Sequence, residues 1–454
     1  MSRFASLSVY VCLATAVICM NAFAAPGDDY WPTWRGPDAT GTAPKGNPPV
    51  TWSESENIKW KVKLPGQGQS SPVIWQDKIF FLAAQSVAGS TPTPQPQPQQ
   101  PPPPADRGAR PGRGPMSQPP SAVHKFDVVC LDRNSGRLLW QKTARQELPH
   151  EGHHPQNGSF ASSSPVTDGK YLWVGFGSRG VHCYDIDGNH KWSRDLGKMK
   201  IAMGFGEGSS PALAGNAMIV VMDQESGSAI YALNKETGET IWQKPREEGT
   251  SWATPLVVEV NGRMQVVTSA TKFIRSYDAL TGELIWQCSG QTGNVIPSPV
   301  NALGMVFCTS GFRGSALQAI ALGRTGDLTG SDAVVWEVKK ATPYVPSPLL
   351  YGDKIYVCSV NKAVISCYQA QTGKPIFVEQ PLEGLGEIYA SPVAAAGRIY
   401  FVSRNGVTAV IKHADEFQVL ATNKLDDKFD ASPAVVGDEL FLKGTEYLYC
   451  IAKP

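Results

Sequence analysis

The sequence predicts an all-β protein: an eight-bladed β-propeller of four-stranded antiparallel blades, closed by an N-terminal strand that completes the last blade. Three observations carry this. A Ser/Thr-Pro anchor returns eight times, at Ser71-Pro72, Ser164-Pro165, Ser210-Pro211, Thr254-Pro255, Ser298-Pro299, Ser347-Pro348, Ser391-Pro392 and Ser432-Pro433. From Pro165 onward the successive prolines stand 46, 44, 44, 49, 44 and 41 residues apart, and a period of that size marks a propeller or a solenoid. Each unit then reads as four short strands with no helical stretch, which is a propeller blade.

The unit that starts at Thr254 shows the pattern. Residues 255–260 form a short apolar strand and Asn261-Gly262 a turn. Residues 264–268 alternate as a second strand, 274–278 as a third, and Thr281-Gly282 leads into a fourth at 283–286 that ends on Trp286. Asn-Gly and Thr-Gly between alternating apolar runs are hairpin signals. The fourth-strand tryptophan recurs at Trp140 and Trp242, with shifted or eroded forms at Trp192, Trp336 and Phe377. The seventh unit keeps only residues 417–420 of that strand, and the eighth stops after its third strand at 447–451. An orphan strand with the right tryptophan, residues 58–62 around Trp60, precedes the first anchor. Pairing it with 447–451 joins the chain ends and leaves no open sheet edge.

Ahead of this ring, Ser2-Arg3 is followed by a 16-residue apolar run, 5–20, and by the small-x-small site Ala22-Phe23-Ala24. Residues 1–24 therefore read as a secretory signal peptide. The run is short for a membrane anchor, and the bulky Ile18 disfavours lipidation at Cys19. The chain is expected to be exported, to the periplasm or cell envelope, with no later segment able to span a membrane.

Residues 25–57 carry Trp31, Trp34-Arg35-Gly36-Pro37 and Trp52 without a strand pattern. They read as an irregular extension packed across a blade edge beside the closing strand. The propeller itself is assigned to 58–454. Residues 85–124, rich in Pro and Gln and then in Arg and Gly, interrupt the first blade between its second and third strands. Such a composition buries no core and is expected to be disordered. A tolerated loop insertion is favoured over a tether for a partner.

A net charge of +1 argues against a general polyanion binder, so no nucleic-acid partner is expected. Of nine cysteines, Cys12 and Cys19 fall in the leader, and the remaining odd number spread over the chain is no disulfide framework. Cys130, Cys183, Cys367 and Cys450 share one third-strand position and read as small buried core residues. A tight turn at 361–364 would set Cys358 opposite Cys367 and permit a cross-strand disulfide.

The loop ahead of each anchor and the loop between strands two and three lie on one face of an up-down blade. The anchor loops are chemically varied and carry Gln67-Gly-Gln69, His153-His154-Pro155-Gln156-Asn157, Phe205-Gly-Glu207, Thr250-Ser-Trp252, Asn294-Val-Ile296, Tyr344-Val345, Glu387-Ile-Tyr389 and Phe429-Asp430. The loops between strands two and three place a cation near one repeat position: Arg179, Lys272 or Arg275, Arg313, Lys362 and Arg404. The candidate ligand- or partner-binding residues are Trp252, Tyr344, Tyr389, Glu207, Asp430, Asn294, Arg179, Arg313 and Arg404. An aromatic mouth ringed by cations suits a small polar or anionic ligand, or an acidic strand of a partner. The plainer alternatives are solvated turn cations and rings that only plug the channel.

Other motifs are discounted. Gly175-x-Gly177-x-x-Gly180 is followed by a strand rather than by the helix that a dinucleotide site needs. Asp185-x-Asp187-Gly188-Asn189 lacks the closing Glu of a calcium loop and reads as a turn. The histidines of 150–154 fit no zinc spacing. No catalytic and no metal-binding residue is assigned.

The repeat Ser-Pro-Val-x-x-x-Gly-x-Ile-Tyr-Val, followed by Tyr-x-Leu/Asp and Thr-Gly-x-x-x-Trp, resembles the pyrroloquinoline-quinone (PQQ)-like β-propeller repeat over residues 58–454. The Trp34-Arg35-Gly36-Pro37 lead-in and the run Gly249-Thr-Ser-Trp-Ala-Thr-Pro resemble an exported bacterial, BamB-like subfamily. That resemblance implies a non-catalytic scaffold that binds an envelope protein partner and holds no cofactor. The alternatives are a site for a small ligand such as a sugar or quinone at the mouth and, third, a PQQ-dependent dehydrogenase. The dehydrogenases of the wider family hold PQQ and calcium over a vicinal disulfide. This chain has no Cys-Cys pair and no recognisable set of calcium ligands.

Overall fold

The computed structural model describes residues 29–88, 117, 120–359 and 363–453. The expected signal peptide lies outside these residues, as does most of the 85–124 insertion.

Hydrogen bonding alone sorts the strands into eight antiparallel sheets of four, one per repeat, with two short additions. Blade 1 comprises Val73–Trp75, Lys78–Ser86, His124–Asp132 and Leu138–Glu147, so the insertion does separate its second and third strands. Blade 8 comprises Ala434–Val436, Glu439–Lys443, Tyr447–Ile451 and, as its outermost member, Ile58–Lys63. The closing register runs from Ile58 opposite Ile451 to Lys63 opposite Tyr447. The N-terminal strand thus completes the last blade, and the ring has no free end. No α-helix occurs among the described residues; the non-strand elements are two 3-10 turns, Gly177–Arg179 and Ala202–Gly204.

The fourth-strand aromatic residue explains how neighbouring blades hold together. Within its own blade it stands opposite a small third-strand residue: Trp60 opposite Cys450, Trp140 opposite Cys130, Trp192 opposite Cys183, Trp242 opposite Ala232 and Phe377 opposite Cys367. The ring of each of these tryptophans then lies on the turn glycine of the next blade. At Gly282, with φ +71°, an added Cβ would sit 2.6 Å from the Trp242 ring. The indole N–H donates into the same turn: Trp60 to the Arg133 carbonyl at 2.9 Å, Trp242 to Ala279 at 3.0 Å and Trp336 to Ala370 at 2.9 Å. The Thr-Gly turn is therefore a socket as well as a hairpin. Blade 4 departs from this. Gly326–Asp327, from the long connection inside blade 5, joins Leu284–Cys288 as a parallel fifth strand. The Trp286 indole N–H is left buried with no partner.

The seven cysteines from Cys130 to Cys450 are buried free thiols. Cys358 stands opposite Ile365, and Cys367 opposite Tyr356. The conjectured Cys358–Cys367 bond is therefore excluded: the two thiols are not cross-strand partners in this register.

The anchors form a closed ring about the axis. The backbone N–H of each anchor residue donates to the side-chain hydroxyl of the next: Ser71 to Ser164 at 2.9 Å, Ser164 to Ser210 at 2.9 Å, Ser210 to Thr254 at 3.1 Å and Thr254 to Ser298 at 2.8 Å. Ser298 donates to Ser347 at 2.9 Å, Ser347 to Ser391 at 2.9 Å, Ser391 to Ser432 at 3.0 Å and Ser432 back to Ser71 at 2.9 Å. Each innermost strand begins here, and an amide buried at this crowded end has no ladder partner. The neighbouring hydroxyl satisfies it.

The N-terminal extension does not stay on a blade edge. Trp31 exchanges backbone hydrogen bonds with Ile74 of blade 1 at 2.9 and 2.8 Å, and the Pro32 carbonyl accepts from Thr167 of blade 2 at 2.9 Å. Three residues later the Arg35 guanidinium donates to the carbonyls of Pro348 at 2.7 Å and Pro392 at 2.9 Å, in blades 6 and 7. Blades 2 and 6 face each other across an eight-membered ring, so this segment crosses the axis. Thr42–Ala43 then runs parallel to Val393–Ala395. Arg35 is buried, and burial holds its guanidinium down at about 9.

Candidate axial site

The crossing extension closes one end of the channel and leaves the other open. A cavity of about 730 Å3 occupies the axis between them. Its floor is Trp34 and the hydroxyls of the anchor ring, among them Ser71, Ser164, Ser210, Thr254, Ser391 and Ser432. Trp34 also borders a second hollow on the far side, beneath the first strands of blades 3 to 6. It is the partition between the two.

The walls come from the anchor loops. Seven of the nine residues singled out in the sequence line this one cavity: Trp252, Tyr344, Tyr389, Glu207, Asp430, Asn294 and Arg313. The anchors fix the starting point of every innermost strand, so residues at one offset before an anchor converge on the axis. Tyr344 stacks on Phe312 with ring centroids 5.1 Å apart and hydrogen-bonds Asn294; its burial raises its pKa. Burial also raises that of Tyr389. Trp252 is a wall rather than a free donor. Its indole N–H donates to the Gly206 carbonyl at 2.7 Å and its backbone N–H to Val295 at 2.9 Å.

Arg179 and Arg404 do not line the cavity, and the expected ring of cations is corrected accordingly. Arg179 is buried behind the wall, stacked on Phe126 and Phe160, and donates to Glu207 at 3.1 Å. Arg404 donates to Asp430 at 2.6 and 3.2 Å and to Asn157 at 2.7 Å, with its guanidinium 4.0 Å from the centre of the Tyr389 ring. Arg275 is likewise buried against Glu248. Lys362 lies outside the described residues. Each loop cation that meets a carboxylate from an adjoining loop is drawn inward, because a buried charge must be paired. Of the cations at this repeat position that line the cavity, Arg313 is the exposed one, with no ion pair, its guanidinium 5.1 Å from the centre of the Phe312 ring.

The same pairing takes the two carboxylates out of play. Glu207 accepts from the Ser178 amide at 2.8 Å, from the Ser178 hydroxyl and from Arg179. Asp430 accepts from Arg404 and, at 3.3 Å, from Gln69. His154 lines the cavity beside Phe205. Its Nδ1 accepts from the amides of Gln156 and Asn157 at 3.3 and 3.2 Å, which places the proton on Nε2. Burial, then the charge of Arg404, lowers its pKa. Among the described residues no group of three His, Cys, Asp or Glu side chains is placed to hold a metal ion.

Sequence reasoning missed Trp34, Phe312 and Met203 as lining residues. Trp34 carried a signal, since a large apolar residue in an irregular segment must bury itself somewhere, but nothing local said that the segment crosses the axis. The Asp185 motif is a turn, as read: its Oδ1 accepts from the amides of Asp187 at 3.1 Å and Asn189 at 2.9 Å.

A family model described as "Outer membrane protein assembly factor BamB" matches residues 124–378 and 230–453. Among solved structures, BamB from Moraxella catarrhalis is similar at 15% identity, with a TM-score of 0.55 over 86% of this chain and 98% of that one. A europium-containing methanol dehydrogenase is similar at 10% identity, with a TM-score of 0.58 over 93% of this chain and 91% of that one. The quinohemoprotein alcohol dehydrogenase ADHIIG from Pseudomonas putida HK5 is similar at 11% identity, TM-score 0.56, covering 94% and 82% respectively. At these identities the likeness is one of fold. None of the curated proteins compared matches the chain.

Proposed function

The chain belongs to the family described as outer membrane protein assembly factor BamB, and from that premise we propose that it is a non-catalytic docking protein of the bacterial cell envelope. It would be exported to the periplasm and would capture a protein partner on its anchor-loop face. One observation carries this reading: the axial cavity is open at that face, closed by Trp34 at the other, and walled by aromatic side chains. A concave aromatic surface with a few convergent polar groups is the usual form of a binding site.

The chemistry of the wall supports binding over catalysis. Its two carboxylates are held by Arg179 and Arg404, its histidine is neutral, and its hydroxyls lie in a ring of backbone contacts. Among the described residues of this wall no nucleophile stands next to a free base. The same donor set does not fit a calcium-held quinone. The metal would need carboxylate oxygens that Glu207 and Asp430 have already committed, and the thiols are dispersed through the blade interiors. A second reading, capture of a small polar or anionic ligand, draws its support from the exposed and unpaired Arg313.

Photo-cross-linking tests the docking reading. A benzophenone amino acid at Tyr344 should give an adduct with an outer-membrane assembly protein in envelope preparations. The same group at Leu303, an exposed turn on the opposite face, should not. Equal labelling from both positions, or none from Tyr344, would remove this face as the functional one.

A further inference from the structure

We propose that the axial cavity takes a carboxylate carried on an apolar body, presented by the end of a partner polypeptide. This rests on the docking reading above and states what the partner must bring.

The unused hydrogen-bonding groups of the cavity point to this occupant. Glu207 and Asp430 each accept three hydrogen bonds from protein donors, an arginine among them in both cases. The Asn157 carbonyl oxygen accepts from Arg404 at 2.7 Å and that of Gln69 from Ser162 at 3.2 Å. What faces the cavity uncommitted is mostly hydrogen: the Arg313 guanidinium at the rim, the Nε2–H of His154 and the amide hydrogens of Asn157 on the wall. At the floor, every anchor Oγ accepts a backbone N–H, and among the described residues none of these hydroxyls donates to a protein acceptor. An oxygen that already accepts a hydrogen bond is a better donor through its own O–H. A cavity richer in donors than in acceptors favours an acceptor-only group, and a carboxylate is the strongest that polypeptides carry. The intervening aromatic faces need an apolar body. Trp34 closes the floor, so the occupant is a chain end and not a strand threading through.

The test is calorimetric titration of the full chain with an N-acetylated tripeptide ending in phenylalanine, as its free acid and as its C-terminal amide. A third titrant is 3-phenylpropionate. The free acid should bind about tenfold tighter than the amide, the worth of one charge-assisted hydrogen bond. Arg313→Gln should lose about that factor for the acid and nothing for the amide, with unchanged melting because Arg313 is exposed. An amide that binds as tightly as the acid, an Arg313→Gln variant that binds like wild type, or no binding by any titrant overturns the inference. Phenylpropionate binding as tightly as the peptide acid overturns the polypeptide as the source. The docking reading fails separately: Tyr344 adducts that persist undiminished in Arg313→Gln would leave docking intact and sink the carboxylate, whereas absence of adducts in wild type sinks docking itself.

Discussion

The backbone N–H of Ser432 donates to the hydroxyl oxygen of Ser71 at 2.9 Å. The eighth anchor thereby closes on the first, across 361 residues of chain. The outer rim is closed independently, by the pairing of Ile58–Lys63 with Tyr447–Ile451. One closure is a single hydrogen bond at the axis and the other a full strand at the perimeter.

The axial closure makes Ser71 unequal to an ordinary buried serine. Ser71→Ala leaves the Ser432 amide buried without an acceptor, which should cost about 1–3 kcal/mol. Ser71→Thr should stay near wild type, because Thr254 fills the same place in blade 4 and accepts from Ser210. Urea unfolding of the two variants checks this. Equal losses would show that the hydroxyl is not what matters.

The tryptophan sockets give a second contrast. Trp242→Phe loses the bond to Ala279 and strands that carbonyl, at a cost of about 1–2 kcal/mol. Trp286→Phe removes an indole N–H that is buried without a partner and should cost far less, or even stabilise. Thermal melting of the pair decides. A larger loss at Trp286 would mean that its ring shape, not its N–H, sets the interface.

Lys443 predicts the alkaline behaviour. It lies in the interface between blades 8 and 1, donates to the Gly68 carbonyl and stands 5.5 Å from the centre of the Phe81 ring. Burial depresses its amine to about 8 from an ordinary 10.5, against a smaller opposing pull from Asp427 and Asp430. Between those two values the unfolded chain holds a proton that the folded chain does not, so stability rises with pH. Below pH 8 the folded state carries the full penalty, about 3 kcal/mol. Lys443→Met lacks this slope. Unfolding free energies measured from pH 7 to 10.5 should therefore shift in favour of wild type, relative to the variant, as pH increases. Parallel profiles would contradict the buried-amine assignment.

Much of this was legible in the sequence because it is written in short-range pattern. The anchor spacing, the two-residue alternation and the glycine turns ahead of tryptophans such as Trp242 and Trp286 are local. They yielded eight blades, the closing strand and the convergence of Trp252, Tyr344 and Tyr389 on one mouth. The fifth strand that blade 5 lends to blade 4 was not legible. Gly326–Asp327 has no strand signal and pairs only because the neighbouring blade offers an edge.

The sequence by itself determined the ring and which loops share a face, since a repeated unit can bury its surfaces only against copies of itself. It did not determine which of those loop residues meet the cavity. Arg179 and Arg404 occupy the same repeat position as Arg313. They turn away from the axis because Glu207 and Asp430 reach them from adjoining loops, while Arg313 has no such partner and stays exposed. Likewise Trp34 is the floor because the extension crosses from blades 1 and 2 to Pro348 and Pro392, held there by Arg35. These outcomes belong to the tertiary structure for one reason. A charge or a large ring is placed by whatever can pair with it or bury it, and those partners come from other repeats, at separations that no local pattern encodes.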